Sequence, residues 1–201
     1  MDLVKDLLGT DFRALDRRGL DLWVGMVAQV EPDMLRLPTP CPDWTLHGLI
    51  RHQLSQDAGF AAAARGEAAR PSGRRGGDLG SDPRTAAAAS ADLVTAAFAA
   101  TGPRDRLRLP EIGDGTTVPA PLAIAFHLLD VVVHAWDAAA AIGVPWEPDD
   151  ELVEASLRVA AIVPADGRGP GEAFAPAVPA AGGGGPRDRL LAALGRTPAW
   201  R

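Results

Sequence analysis

The run Phe126-His127-Leu128-Leu129-Asp130-Val131-Val132-Val133-His134-Ala135-Trp136-Asp137 sets two histidines and two aspartates in an otherwise apolar stretch. Each residue turns a helix by ~100°. With His127 at zero, Asp130 falls at about −60°, His134 at about −20° and Asp137 at about −80°. All four therefore share a stripe about 80° wide. Buried charge is costly unless it is paired or bound to metal. Asp130 and His134 are four residues apart, so their side chains stack on adjacent turns. A carboxylate and an imidazole so placed can clasp one divalent ion. The same spacing also suits a structural Asp–His hydrogen bond, or an interior pair bridged by water.

A protein-bound ion needs a further ligand from elsewhere. His52, set between Ile50 and Leu54, is the natural candidate. Alone it reads equally as a satisfied core histidine. His47 lies five residues earlier, about 140° away around a helix, and reads as surface. Cys41 stands between Pro40 and Pro42. A nucleophilic thiol needs a base and an electropositive setting, so it reads as a small packed residue.

Helices must carry these groups. A first periodic segment runs from about Asp11 to Val30, with Leu15, Leu22, Trp23, Met26, Val27 and Val30 in register and Asp11 as its cap. Gly19 weakens it. The prolines of Leu37–Thr45 forbid a helix and make a rigid loop, with Thr45 or Asp43 able to cap the next helix. This second helix spans about Leu46 to Arg65 and ends at Gly66. A polar loop with Arg70, Arg74 and Arg75 leads to a third, alanine-rich helix over Pro83 to Ala100. Alternation at Arg106–Leu109 and a turn at Gly113-Asp114-Gly115-Thr116 predict a short hairpin or extended loop. The fourth helix, Ala120 to Ile142, is apolar on nearly every face and belongs in the middle of a bundle. A fifth covers Asp150 to Ile162. Residues 163–201 read as a Pro/Gly-rich tail, with Gly182-Gly183-Gly184-Gly185 and one short closing helix from Arg187 to Leu194.

Composition agrees. Apolar residues make up 47% of 201, tyrosine is absent, and alanine, the best helix former, is abundant. The expectation is an all-α domain. The net charge of −6 and scattered arginines exclude nucleic acid as a partner class. The arginine cluster at residues 70–75 reads as a solvated loop. One cysteine, no leader and no apolar run of the ~20 residues that span a bilayer point to the cytoplasm and away from membranes.

Two blocks carry a resemblance. Pro40-Cys41-Pro42-Asp43-Trp44-Thr45 followed by Leu49-Ile50-Arg51-His52, and Asp130-Val131-Val132-Val133-His134-Ala135-Trp136-Asp137-Ala138-Ala139, stand in order about 80 residues apart. Together they resemble the DinB-like superfamily, and more narrowly the mycothiol-dependent maleylpyruvate isomerase metal-binding domain of actinobacteria. Leu190-Leu191-Ala192-Ala193-Leu194-Gly195-Arg196-Thr197-Pro198-Ala199-Trp200 is similar to the ending of a short, single-domain subfamily.

The resemblance implies a DinB-like four-helix up-down-down-up bundle over residues 1–162, here with an extra helix and the Pro/Gly-rich tail. It implies a divalent metal, zinc first and nickel second, held by His52, Asp130 and His134. The isomerase pattern has glutamate where Asp130 stands. The larger isomerases also carry a further C-terminal domain that helps bind the thiol. By resemblance the function is that of a metal-dependent thiol transferase or thiol-assisted isomerase. Mycothiol or another low-molecular-weight thiol would be the cosubstrate, and a small electrophilic metabolite the substrate. His127 and Asp137 would then orient a ligand or relay a proton, or simply make hydrogen bonds across helices. Two other readings stand beside it. One is a metal-independent cyclase or isomerase of secondary metabolism using the His/Asp stripe as acid–base groups. The other is a non-catalytic metal or ligand carrier. The chain is expected to be a monomer or a homodimer.

Overall fold

The computed structural model describes residues 2–42, 44–67, 77–109, 116–165, 168–169, 174–180 and 184–200. Asp43, the arginines at 70, 74 and 75, and the turn and tail glycines at 113, 115, 182 and 183 lie outside these residues. Among the described residues seven α-helices, one 3-10 turn and one pair of short strands form. The fold is all-α and DinB-like, as the sequence indicated.

A short α1 (Leu3–Leu8) precedes the first expected helix; Asp2 caps it and only Leu7 is buried. The expected first helix is α2, Arg13–Val27. It begins two residues later than expected and ends three earlier. Phe12 holds the capping position without a side-chain bond, and Asp11 instead takes the Arg13 amide from outside the helix. After a 3-10 turn at Pro32–Arg36, the proline loop is pinned by a bridge between Pro38 and Thr45. The Thr45 hydroxyl caps α3 (Leu46–Ala64) on the Gly48 amide. Asp82 caps α4 (Pro83–Ala99). Strands β1 (Arg106–Arg108) and β2 (Thr117–Pro119) pair antiparallel with Leu107 opposite Val118, giving the expected hairpin. Helix α5 spans Ala120–Ile142 and stops at Gly143, φ +71°. Asp149 caps α6 (Asp150–Ala160), and Arg18 of α2 grips the same carboxylate. Helix α7 covers Pro186–Ala193 and buries Leu190 and Leu191 against α6.

Four helices make the bundle. Helix α2 packs on α5 and α4, and α3 packs on α4 and α5, closing a ring in which α5 is buried on nearly every side. Burying a single Leu or Val side chain stabilises by about 1.5–3 kcal/mol, so α5, with Leu128, Leu129 and Val131 to Val133 fully covered, anchors the core. By length and composition α5 could cross a membrane, which corrects the expectation that no segment is apolar enough. Its most apolar window is 83% buried against the other helices, the position of a core helix. Gly19 is a point of close approach between α2 and α5. A Cβ there would fall 3.0 Å from Val131 Cγ1 and 3.2 Å from Val132 Cγ2.

Candidate metal centre

The polar stripe of α5 faces α2 and α3 and divides into two groups. The upper group gathers His52, Asp130 and His134. Their ligand atoms all lie within 4.8 Å of one another. His134 Nε2 sits 3.4 Å from Asp130 Oδ1. Two ligands on a tetrahedral ion with bonds of ~2.1 Å stand about 3.4 Å apart. His52 packs edge-on to His134, ring centroids 5.2 Å apart, and its other face stacks on Trp44 at 5.2 Å and 23°. The proline loop therefore fixes the His52 ring.

The donors suit a cation. Burial, together with the neighbouring His134, pushes the His52 pKa down to about 4, so this ring is neutral at pH 7. Asp130 is held well below the usual carboxylate range: burial opposes this, but His134 and His52 outweigh it. Its second oxygen, Oδ2, is buried and has no hydrogen-bond partner among the described residues. An ionised carboxylate oxygen left bare in the interior is a poor end state for an ordinary pair and a fitting one for a metal ligand. Burial works against protonation of His134, yet Asp130 and Asp137 raise its pKa to about 9. An ion at Nε2 would displace that proton.

Asp137 stands behind His134 rather than in the cluster. Its Oδ2 lies 3.0 Å from His134 Nδ1. It is wholly buried and is clasped by Arg196 at 3.1 and 2.9 Å. Burial raises its pKa, but His134 and Arg196 bring it below the ordinary value. A carboxylate on the far nitrogen of a liganding imidazole fixes its tautomer and orientation.

His127 belongs to the second group and is not brought to the cluster. Its ring has no exposed surface. Nδ1 lies 2.7 Å from Asp16 Oδ1 of α2, and Nε2 lies 3.0 Å from Asp57 Oδ1 of α3. Phe60 and Phe98 pack edge-on around it. Asp57 also accepts from Gln53 and Ser90. Burial favours the neutral ring, but the two carboxylates raise its pKa to about 10, and burial raises that of Asp16. His47 is exposed, as expected, and Cys41 is half-buried in the proline loop.

Sequence reasoning missed Asp16, Asp57 and Arg196. Two left a signal: Asp16 occupies an apolar-stripe position with Leu20, Trp23 and Val27, and Asp57 does so with Ile50 and Phe60. A cavity of about 850 Å³ lies at the end of α5, walled by Trp136, Trp146, Leu191 and Trp200, and none of His52, Asp130 and His134 lines it.

Three comparisons bear on this arrangement. The sequence signature of the mycothiol maleylpyruvate isomerase N-terminal domain matches residues 17–139. Two uncharacterized proteins from strains of Mycobacterium tuberculosis are each 36% identical over 185 residues, covering 90% of this chain and 95% of their own. The crystal structure of the mycothiol-dependent maleylpyruvate isomerase superposes with a TM-score of 0.55 at 19% identity, covering 80% of this chain and 68% of that one. At that identity the likeness is one of fold.

Proposed function

The chain belongs to the mycothiol maleylpyruvate isomerase N-terminal domain family, and on that premise we propose that it is a metal-dependent thiol transferase or thiol-assisted isomerase acting on a small electrophilic metabolite. The ligands are His52, Asp130 and His134. One observation carries the reading: the buried Oδ2 of Asp130, bare among the described residues, on a carboxylate that has two imidazole nitrogens within 4.8 Å of one of its oxygens. Two histidines and one carboxylate leave coordination open, as catalytic zinc sites do. A zinc ion bound there would lower the pKa of a coordinated thiol and so supply a thiolate at neutral pH.

The chain's own groups prepare that chemistry. His52 presents a neutral ring held by Trp44. Asp130 supplies negative charge. Asp137 takes Nδ1–H of His134 and turns Nε2 toward the ligand set. His127, with both nitrogens engaged and no exposure, stabilises the bundle and does not touch substrate. That takes one of the three acid–base groups from the metal-free reading and leaves it Asp130 and His134.

The test is elemental analysis of protein purified without affinity metals, followed by turnover of maleylpyruvate with mycothiol. One zinc per chain, lost in His52→Ala together with activity, supports the reading. A metal-free protein that still turns over overturns it. A loaded protein inactive toward thiol-reactive electrophiles leaves a carrier in its place.

A further inference from the structure

The tail reaches the candidate metal centre through one buried cation. Arg196 follows Gly195, whose φ of +76° turns the chain after α7. Its residue exposure is only 3%, against the exposed or half-buried state of the arginines that form the surface ion pairs. Nε and Nη2 form a fork on both oxygens of Asp137, and Nη1 donates to the Leu194 carbonyl at 3.1 Å. The Asp137 oxygen that receives Nη2 is the one facing His134 Nδ1. Which nitrogen of an imidazole ligates is set by the hydrogen bond that the other nitrogen makes, and losing that partner weakens the metal's binding. A planar fork fixes a carboxylate in rotation as well as position, which a lysine ammonium does not.

We propose that Arg196 is a positioning residue for the metal centre: by clamping Asp137 it holds Nδ1–H of His134 and leaves Nε2 as the ligating nitrogen. This rests on the proposed ligand set of His52, Asp130 and His134. It makes the tail part of the site. The buried ion pair then has a purpose beyond packing, since an apolar pair of the same volume would fill the space as well.

The experiment is a Co2+ titration of the full chain against a competing chelator, read by visible absorption. It is paired with proton NMR of the Co2+ form, in which slowly exchanging imidazole N–H protons of ligands give shifted resonances. Wild type, His52→Ala, Arg196→Met, Arg196→Lys and the double variant Asp137→Leu/Arg196→Met are compared. Wild type binds one Co2+ and His52→Ala loses it. Arg196→Met weakens binding by about 10–100-fold and the His134 N–H resonance exchanges away, while Arg196→Lys falls between. The double variant leaves no buried carboxylate without its cation, so it keeps the fold and shows the same loss. Binding within about threefold of wild type in both Met-containing variants, against the 10–100-fold expected, with the resonance intact, overturns the role of Arg196 and leaves the ligand set standing. A wild-type chain that takes up no Co2+ overturns both.

Discussion

The imidazole of His127 on α5 meets the carboxylate of Asp16 on α2 at 2.7 Å, across 111 residues of sequence, with neither group open to solvent. Asp57 of α3 closes the other side at 3.0 Å. Three helices are thus joined at one ring. Such a trio stabilises only while it is complete, because each member alone would be a buried charge or an unpaired donor.

Replacing His127 by leucine strands Asp16 in the core and leaves Asp57 with only the neutral donors Gln53 and Ser90. We expect His127→Leu to cost about 3–5 kcal/mol in urea unfolding while zinc stoichiometry stays at the wild-type value. Converting Asp16, Asp57 and His127 together to leucine should recover part of that loss, since the buried Gln53 then loses its acceptor. A His127→Leu protein as stable as wild type but inactive would return the ring to the chemistry.

Alkaline pH should loosen the metal-free protein. The pKa of His127 rises from an ordinary 6.5 to about 10 in the fold. The folded state therefore holds a proton that the unfolded chain releases above 6.5. Its contribution is complete below that value and is lost as pH climbs through 10, at about 1.4 kcal/mol per pH unit for each retained proton. His134, raised to about 9, adds the same sign over a narrower window. Thermal unfolding from pH 7 to 10 should show a falling midpoint, with a shallower slope in the triple leucine variant. A flat profile in wild type contradicts the assignment.

Trp44 should report occupancy of the site. Its indole stacks on His52 at 5.2 Å. Binding of Co2+ should quench tryptophan emission, and Trp44→Phe should remove most of that quenching while leaving the other four tryptophans in place. Equal quenching in the two proteins would place the ion elsewhere.

The sequence made some of this legible and hid the rest for physical reasons. Long amphipathic or fully apolar segments announce themselves, so α3, α4 and α5 appear nearly residue for residue, with Thr45 as a cap and Gly143 as a stop. Helix α1 has six residues and one buried side chain, too short for a periodic signal. His52, Asp130 and His134 could be proposed because two blocks resembled a known pattern; spacing alone also allowed a simple hydrogen bond. Asp16 and Asp57 were written in the apolar stripes of their helices as polar interruptions, yet partners 111 and 70 residues from His127 cannot be read from one helix. Arg196 stands past the end of α7, where no periodicity marks burial.

Gly19 gives the bundle a constraint of another kind. The backbone hydrogens of this residue are all that separate α2 from the valine methyl groups of α5. Asp16 lies one turn before it on the same helix. Any bulk at residue 19 would wedge the two backbones apart and stretch the link between Asp16 and His127. The location of a proton at the heart of the protein is governed by the absence of a side chain that carries no charge.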